Sequence, residues 1–339
     1  MTTSVAADNA NRGVRKVSIE RILIPLDGSG MAAGILPVAG DLARRLNARI
    51  DLLAVVDPYS TELPSYLQFR KISATGPKFV EAVRLERVRA ANEYLISVAN
   101  SLRKDDLEVD TETMVGDPAR KIVAKAKLNH TDLIAMATHG RSAIGRGLLG
   151  SVTDKVAHSS AIPMLIVRPT GSGPVEPISS LIVGLDGSKV AEVSIEPARY
   201  LAASLGIPTL LLRATASAAR VAAYGGDQYL APATPYSDTD AKAQEYLDTV
   251  AAGKMSLDVA VETRVGPGTA YNEIRSAAAE QPGALIILAT RGRSGLTRWV
   301  LGSVTDRIIR SSDNPVLVIP PSIGGYSEPV GSADKTPVE

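Results

Sequence analysis

Short apolar runs alternate along this chain with longer stretches in which apolar residues recur every three or four positions. The runs are rich in Val, Ile and Leu and bounded by Gly, Pro or Asp, a pattern that predicts buried β-strands. The clearest of the longer stretches predicts a helix with one apolar stripe. The residues of that stripe are spaced 3, 4, 3 and 4 apart: Val88, Ala91, Leu95, Val98 and Leu102.

The alternation predicts a parallel, doubly wound α/β sheet in each half of the chain. The predicted strands of the first half are residues 21–26, 50–56, 109–115, 132–138 and 163–168. The predicted helices are residues 31–46, 79–103, 117–128 and 150–159. The second half repeats the order, with strands at 180–185, 208–214, 258–265, 284–290 and 315–319. Ligands of such sheets bind beyond the carboxyl ends of the strands, where the strand order reverses.

One stretch of eighteen residues occurs twice, and eleven of its positions are identical in the two copies. Thr138–Lys155 reads THGRSAIGRGLLGSVTDK, and Thr290–Arg307 reads TRGRSGLTRWVLGSVTDR. Flanking segments repeat in the same order, at a separation far longer than a solenoid unit of about 20–50 residues. The chain is therefore a duplicated domain.

The copies predict two domains with a linker whose composition stands out. Pro169–Pro177 reads PTGSGPVEP, which is typical of a linker. The predicted segments are a disordered tail (1–18), a first domain (19–169), the linker (170–178), a second domain (179–321) and a second disordered tail (322–339).

Composition narrows the class of protein. Hydrophobic residues make up 45% of the chain and aromatic residues only 4%, which predicts the aliphatic cores of parallel sheets. With 37 basic and 36 acidic residues and no block of like charge, we expect no nucleic-acid partner. The absence of cysteine excludes thiolate chemistry and Cys-based metal sites, and the three histidines lack ligand-like spacing, so no metal site is expected.

Targeting signals are also not predicted. The first nineteen residues are polar, and the chain contains no apolar run of about eighteen residues, the length that a membrane span needs. We therefore expect a cytoplasmic protein with no membrane partner.

Asp27 and Asp186 each follow the first strand of their copy. A carboxylate there is able to accept hydrogen bonds from ribose hydroxyls or an adenine amine. The alternative is purely structural, because Asp-Gly-Ser is by itself strong turn and N-cap chemistry.

The repeated Gly-rich loop is the stronger candidate site. Gly140 and Gly292 each stand ten residues before a Gly-Ser pair that opens a predicted helix. Glycine lets backbone N–H groups approach a phosphate closely, and the first turn of a helix offers unpaired donors. The alternative is a plain strand-to-helix connection in which Ser151 caps the helix.

These residues resemble the universal stress protein family in a tandem form, over nearly all of residues 20–320. The family's signature, Gly-x2-Gly-x9-Gly-Ser/Thr, is matched from Ala137 to Ser151 and again from Ala289 to Ser303. Both copies depart from it at the first position, where alanine replaces glycine. The resemblance implies a five-stranded α/β fold of the adenine-nucleotide α-hydrolase-like class in each domain.

The resemblance also implies residue roles. Pro25 and Asp27 would line the adenosine end, and Val55 would meet the adenine through its backbone. Met136, His139 and Gly140 would wrap the ribose and the first phosphate. Gly150, Ser151 and Val152 would hold the outer phosphates. The matching residues of the second copy are Gly184, Asp186, Ala214, Leu288, Gly292, Gly302, Ser303 and Val304. Arg291 replaces His139, so the two sites are expected to differ in affinity.

The function implied is nucleotide-dependent regulation in a stress response, by a binding protein rather than an enzyme. The expected ligand is ATP, with or without Mg²⁺, and AMP and cyclic AMP are the alternatives. At most slow hydrolysis is expected. The family also implies pairing of the last strands of the two domains, a homodimer, and a protein partner that the sequence does not identify. Two alternatives stay open: a nucleotide-free interaction module, and an enzyme that cleaves ATP between its α and β phosphates.

Overall fold

A computed structural model describes residues 17–58, 77–138, 149–169, 176–215, 240–255, 259–290 and 301–321. In the first copy the strands are β1 (Arg21–Pro25), β2 (Arg49–Val56), β3 (Val109–Val115), β4 (Leu133–Ala137) and β5 (Met164–Val167). The helices are α1 (Gly30–Ala33), α2 (Leu36–Leu46), α3 (Pro77–Arg103), α4 (Pro118–Leu128) and α5 (Ser151–Ser159).

The second copy repeats this order. Its strands are β6 (Ser180–Gly184), β7 (Thr209–Ala214), β8 (Val261–Gly266), β9 (Ala284–Ala289) and β10 (Val316–Ile319). A 3₁₀ turn (Ala191–Ser194) precedes its helices, which are α6 (Ile195–Leu205), α7 (Asp240–Lys254), α8 (Ala270–Glu280) and α9 (Ser303–Ser311). The strand predicted at 258–265 in fact begins at Val261.

Each copy forms a parallel five-stranded sheet, as the sequence predicts, and the two sheets join into one. The strand order is β3-β2-β1-β4-β5-β10-β9-β6-β7-β8. Within each copy the order reverses between the first and fourth strands, which is where such folds bind ligands.

The junction between the copies is the antiparallel pairing of β5 with β10, in which Leu165 lies opposite Leu317. This pairing confirms the expectation that the last strands of the two domains meet within one chain. Because all other pairs are parallel, the strands of one copy run opposite to those of the other. The carboxyl ends of the first copy's strands therefore lie on one side of the shared sheet, along the strand direction, and those of the second copy's strands lie on the opposite side.

Aliphatic cores cover both faces of the sheet. On one face a single buried cluster runs through both copies, from Ile19 to Ile319. The helical stripe predicted from the sequence packs there: Ala91 and Leu95 of α3 are fully buried, and Val88 and Val98 are partly buried. The other face carries a second cluster beneath α4, α5, α8 and α9.

The helix predicted at 31–46 is two helices. Proline has no N–H, and its ring clashes with the carbonyl four residues earlier, which here belongs to Ala33. The chain therefore turns after Ala33, and Pro37 lies in the first turn of α2. The turn also runs close to the segment that follows β5, because a Cβ on Gly34 would lie 2.8 Å from the side chain of Pro169.

Polar contacts reinforce the junction. The guanidinium of Arg45 on α2 donates to the carbonyl of Ile178 (2.6 Å) and to that of Leu205, the last residue of α6 (3.1 Å). In return the N–H of Ile19 donates to the hydroxyl of Tyr200 on α6 (3.1 Å). Each copy thus binds the segment that leads into the first strand of the other.

Candidate functional site

The Asp-Gly-Ser segment after the first strand forms the same capped turn in both copies. The carboxylate of Asp27 accepts the N–H of Ser29 (2.9 Å), and the Ser29 hydroxyl accepts the N–H of Ala32 at the start of α1 (3.0 Å). The glycine between them, Gly28, has a φ of 82°, a left-handed conformation that glycine adopts without strain.

In the second copy, Asp186 accepts the N–H of Ser188 (2.8 Å), and Ser188 accepts that of Ala191 (3.1 Å). The structural interpretation of this motif is therefore correct. A capped turn does not by itself exclude the ligand interpretation, because a carboxylate has about four acceptor positions.

The two ends of the Gly-rich loop are held together by backbone hydrogen bonds. Thr138, directly after β4, donates its N–H to Val167 of β5 (2.8 Å), and its carbonyl accepts the N–H of Gly150. In the second copy Thr290 bonds Ile319 (2.9 Å) and Gly302 in the same way. The last residue of each loop is therefore hydrogen-bonded to the residue that precedes the loop: Gly150 to Thr138, and Gly302 to Thr290.

Three predicted ligand residues lie inside these loops and outside the described residues: His139, Gly140 and Gly292. Their predicted roles remain predictions, as does the effect expected of Arg291.

A buried threonine fastens the helix after each loop to the strand before it. The hydroxyl of Thr153 donates to the carbonyl of Ala137 (2.9 Å), and Thr305 donates to Ala289 (2.9 Å). Both threonines are 4% exposed. Their role is not evident from the sequence pattern, although both belong to the repeated Gly-Ser-Val-Thr-Asp segment. The alanines that depart from the family signature thus carry the acceptor of this bond.

The helices that follow the loops begin without an N-cap side chain. In α1, α4 and α8 a side-chain oxygen of Ser29, Asp117 or Thr269 accepts a first-turn N–H. In α5 and α9 the N-cap is Gly150 or Gly302, which has no side chain to do so. The alternative in which Ser151 caps the helix is wrong, because Ser151 is the first helical residue and Gly150 is the N-cap. Its exposed position leaves the first turn accessible to an anion.

Each of these helices also carries a first-turn carboxylate with a basic partner one turn later. Asp154 lies 3.6 Å from His158, and Asp306 bonds Arg310. The bond to Asp306 raises the pKa of Arg310, and the carboxylate of Asp154 in the other copy raises it further. Helices α5 and α9 therefore lie within electrostatic reach of each other across the junction.

The strand ends bring the remaining predicted residues to the point where the strand order reverses. Pro25 ends β1, Met136 and Ala137 end β4, and half-buried Val55 precedes the last residue of β2. Since β1 lies between β2 and β4, these residues surround the Asp27 turn on two sides.

The second copy is tighter at this point. A Cβ on Gly184 would lie only 2.5 Å from the side chain of Leu288, and Leu288 is 5% exposed. The residue that matches Gly184 in the first copy is Pro25. A proline ring at position 184 would fit beside Leu288 only if that side chain moved. The residues at the base of the two candidate sites therefore differ in packing as well as in sequence.

Comparison with known proteins places the chain in a family. The model of the universal stress protein family matches residues 18–168 and again residues 178–320. The chain therefore belongs to the universal stress protein family, as a tandem of two copies.

Individual relatives are distant. A universal stress protein of Mycolicibacterium smegmatis is 24% identical over 309 residues, which cover 88% of this chain and 97% of that protein. One from Methanocaldococcus jannaschii is 30% identical over 151 residues, or 44% of this chain and 82% of that protein. The crystal structure of a universal stress protein from Archaeoglobus fulgidus has a TM-score of 0.65 at 21% identity, covering 89% of this chain and 98% of the other. That likeness supports the fold.

The described residues contain neither a candidate membrane helix nor a candidate metal site. None of the helices there combines the length and apolarity that a bilayer crossing requires. Nor does that part of the chain bring three His, Asp or Glu side chains together in a way that would hold a metal ion.

Proposed function

We propose that this protein binds ATP, or a related adenine nucleotide, at the carboxyl ends of β1 and β4 and at the corresponding ends of β6 and β9. The observation that carries the proposal is the shared frame of the two Gly-rich loops. Each closes on itself at Thr138 or Thr290 and leads into a helix that starts at a glycine. This frame supports an anion cradle made of backbone amides.

In this proposal Pro25, Asp27, Val55 and Met136 hold the adenosine of the first site, and Gly150, Ser151 and Val152 hold its outer phosphates. The second site uses Gly184, Asp186, Ala214, Leu288, Gly302, Ser303 and Val304. Binding then regulates contacts with a protein partner in a stress response, with no more than slow hydrolysis. A homodimer needs a surface other than β5 and β10, since these strands pair within the chain. The cytoplasmic location remains a prediction.

Calorimetric titration with ATP, AMP and cyclic AMP tests the proposal. We expect binding by the unmodified chain and its loss at the first site in Gly150→Leu. Gly150 has a φ of −58°, which leucine also adopts, so the new side chain obstructs the cradle without straining the backbone. Gly253→Leu is the matched control, because a Cβ on Gly253 meets nothing within 4 Å. The proposal is wrong if calorimetry detects no binding of any of the three nucleotides and native mass spectrometry finds no nucleotide bound to the purified protein.

The two alternatives have their own readouts. A nucleotide-free interaction module gives that negative result in a folded chain. An enzyme that cleaves between the α and β phosphates releases pyrophosphate, which a coupled assay detects.

A further inference from the structure

Arg213 is a buried arginine next to the Asp186 turn of the second copy. It is 6% exposed and lies one residue before the end of β7. Its guanidinium packs against Gly187, since a Cβ there would lie 2.9 Å from one of its nitrogens. Gly187 joins Asp186 to Ser188 and has a φ of 81°. Arg213 therefore supports, from inside the fold, the turn that presents the Asp186 carboxylate.

A series of contacts fixes Arg213 in place. Its guanidinium carbon lies 4.9 Å from the centre of the Tyr246 ring, a cation–π distance. The Tyr246 hydroxyl donates to the carboxylate of Glu192 (3.2 Å), which also accepts a bond from Lys254 (2.5 Å). Burial raises the pKa of Tyr246 and the Glu192 carboxylate raises it further, so the phenol stays protonated and keeps its role as donor.

Four residues make these contacts: Arg213, Tyr246, Glu192 and Lys254. Of the four, only the tyrosine recurs at the corresponding position of the first copy. The pairing of β1 with β2 has the same register as that of β6 with β7, and the capped turns match, so the copies align without ambiguity here. Tyr246 corresponds to Tyr94, and each precedes a fully buried leucine. The counterparts of Arg213, Glu192 and Lys254 are Ala54, Ala33 and Leu102. The charged contacts around Arg213 are therefore not repeated at the corresponding positions of the first copy.

We infer that Arg213 is a positioning residue of the second nucleotide site: it holds the Asp186 turn so that the carboxylate accepts the ribose hydroxyls. The inference rests on the proposed function. Because the Arg213 guanidinium packs against the Asp186 turn, the turn loses little conformational freedom when a ligand binds. The Asp186 carboxylate is therefore pre-organised as an acceptor. Ribose selectivity at the second site thus depends on Arg213, whereas the first site has no arginine at the matching strand position.

Selectivity between ATP and 2′,3′-dideoxy-ATP tests this inference, since the second ligand lacks the hydroxyls that Asp186 would bind. The second site is isolated by Gly150→Leu, and affinities are measured by calorimetry. In this background Arg213→Met should reduce the preference for ATP about tenfold, the loss of roughly one charged hydrogen bond, with little change for the dideoxy compound. Arg213→Lys, which keeps the charge but not the planar fork, should give an intermediate preference.

Two controls separate positioning from a structural role. In the Gly302→Leu background, where only the first site remains, Arg213→Met should change neither affinity. The double variant Asp186→Asn with Arg213→Met should be no weaker for ATP than Asp186→Asn alone, because both act through one carboxylate. Thermal unfolding shows that each variant is folded.

An unchanged preference in Arg213→Met overturns the inference, and so does an equal loss of affinity for both ligands. Failure of the Gly150→Leu chain to bind ATP while the unmodified chain binds one equivalent also overturns it, and leaves the proposed function intact at the first site only. Failure of the unmodified chain to bind at either site overturns the proposed function as well.

Discussion

The hydroxyl of Thr153 donates a hydrogen bond to the backbone carbonyl of Ala137, which joins the helix after the first Gly-rich loop to the strand before it. Thr305 and Ala289 repeat this relationship. The bond fixes where the helix N-terminus lies relative to the strand end. The phosphate-binding role proposed for Gly150, Ser151 and Val152 requires that fixed position.

Replacing Thr153 by valine should cost both stability and affinity. Valine fills the same volume but leaves the buried Ala137 carbonyl without this donor, at a cost of about 1–3 kcal/mol. Denaturant unfolding measures the free energy, and calorimetry should show weaker ATP binding at the first site. Thr153→Ser keeps the hydroxyl and should retain both. Equal stability of the two variants would contradict the role given to this bond.

Asp27→Asn should weaken nucleotide binding without unfolding the turn. The asparagine oxygen still accepts the N–H of Ser29, but it is a neutral acceptor, so affinity for ATP at the first site should fall about tenfold. Asp186→Asn is the matched variant for the second site. If neither change alters the calorimetric dissociation constants, ribose is not held by these carboxylates.

Arg45→Met should loosen the junction between the copies. The change removes the partly buried hydrogen bonds to Ile178 and Leu205, and hydrogen bonds from a charged donor contribute about 1.5–3 kcal/mol each. We expect a lower unfolding midpoint, measured by circular dichroism.

The neighbouring Arg44→Met serves as control, because Arg44 is 48% exposed and makes only surface ion pairs at 3.5 Å. Such pairs contribute about 0–1 kcal/mol. A loss of stability in Arg44→Met as large as that in Arg45→Met would remove the argument for a specific junction contact.

Tyr246 should make the protein less stable at alkaline pH. Its pKa in the folded state is raised above the ordinary value of 10.0, first by burial and then by Glu192. A raised pKa gives stability that is complete below the unfolded-state pKa and is lost as the pH rises through it toward the folded-state value. Between pH 9 and about 10.5 the free energy of unfolding should therefore fall more in the unmodified chain than in Tyr246→Phe.

Identical alkaline slopes for the unmodified chain and Tyr246→Phe would contradict the assignment.

Much of the fold follows from the sequence because its determinants are local. The stripe from Val88 to Leu102 and the short Val, Ile and Leu runs have periods that only a helix or a strand satisfies, and the structure contains both. The break in helix 31–46 was also readable, since Pro37 excludes an uninterrupted helix, but the apolar pattern alone suggested continuity.

The candidate site was predictable only in part. Glycines and the Asp-Gly-Ser turn are recognisable from residue type alone, because few other residues adopt the left-handed backbone or form the capped turn that these residues do. Thr153 and Arg213 do not: their roles arise from contacts between strands and helices far apart in the chain. An alignment of the two copies singles out Arg213, because the residue that matches it in the first copy is Ala54.

The antiparallel pairing of β5 with β10 fixes which way the two candidate sites face. Strands of the two copies point in opposite directions, so a protein docked over one site is turned away from the other. If both proposed sites hold nucleotide, the chain is bipolar, and the proposed protein partner would contact one site at a time.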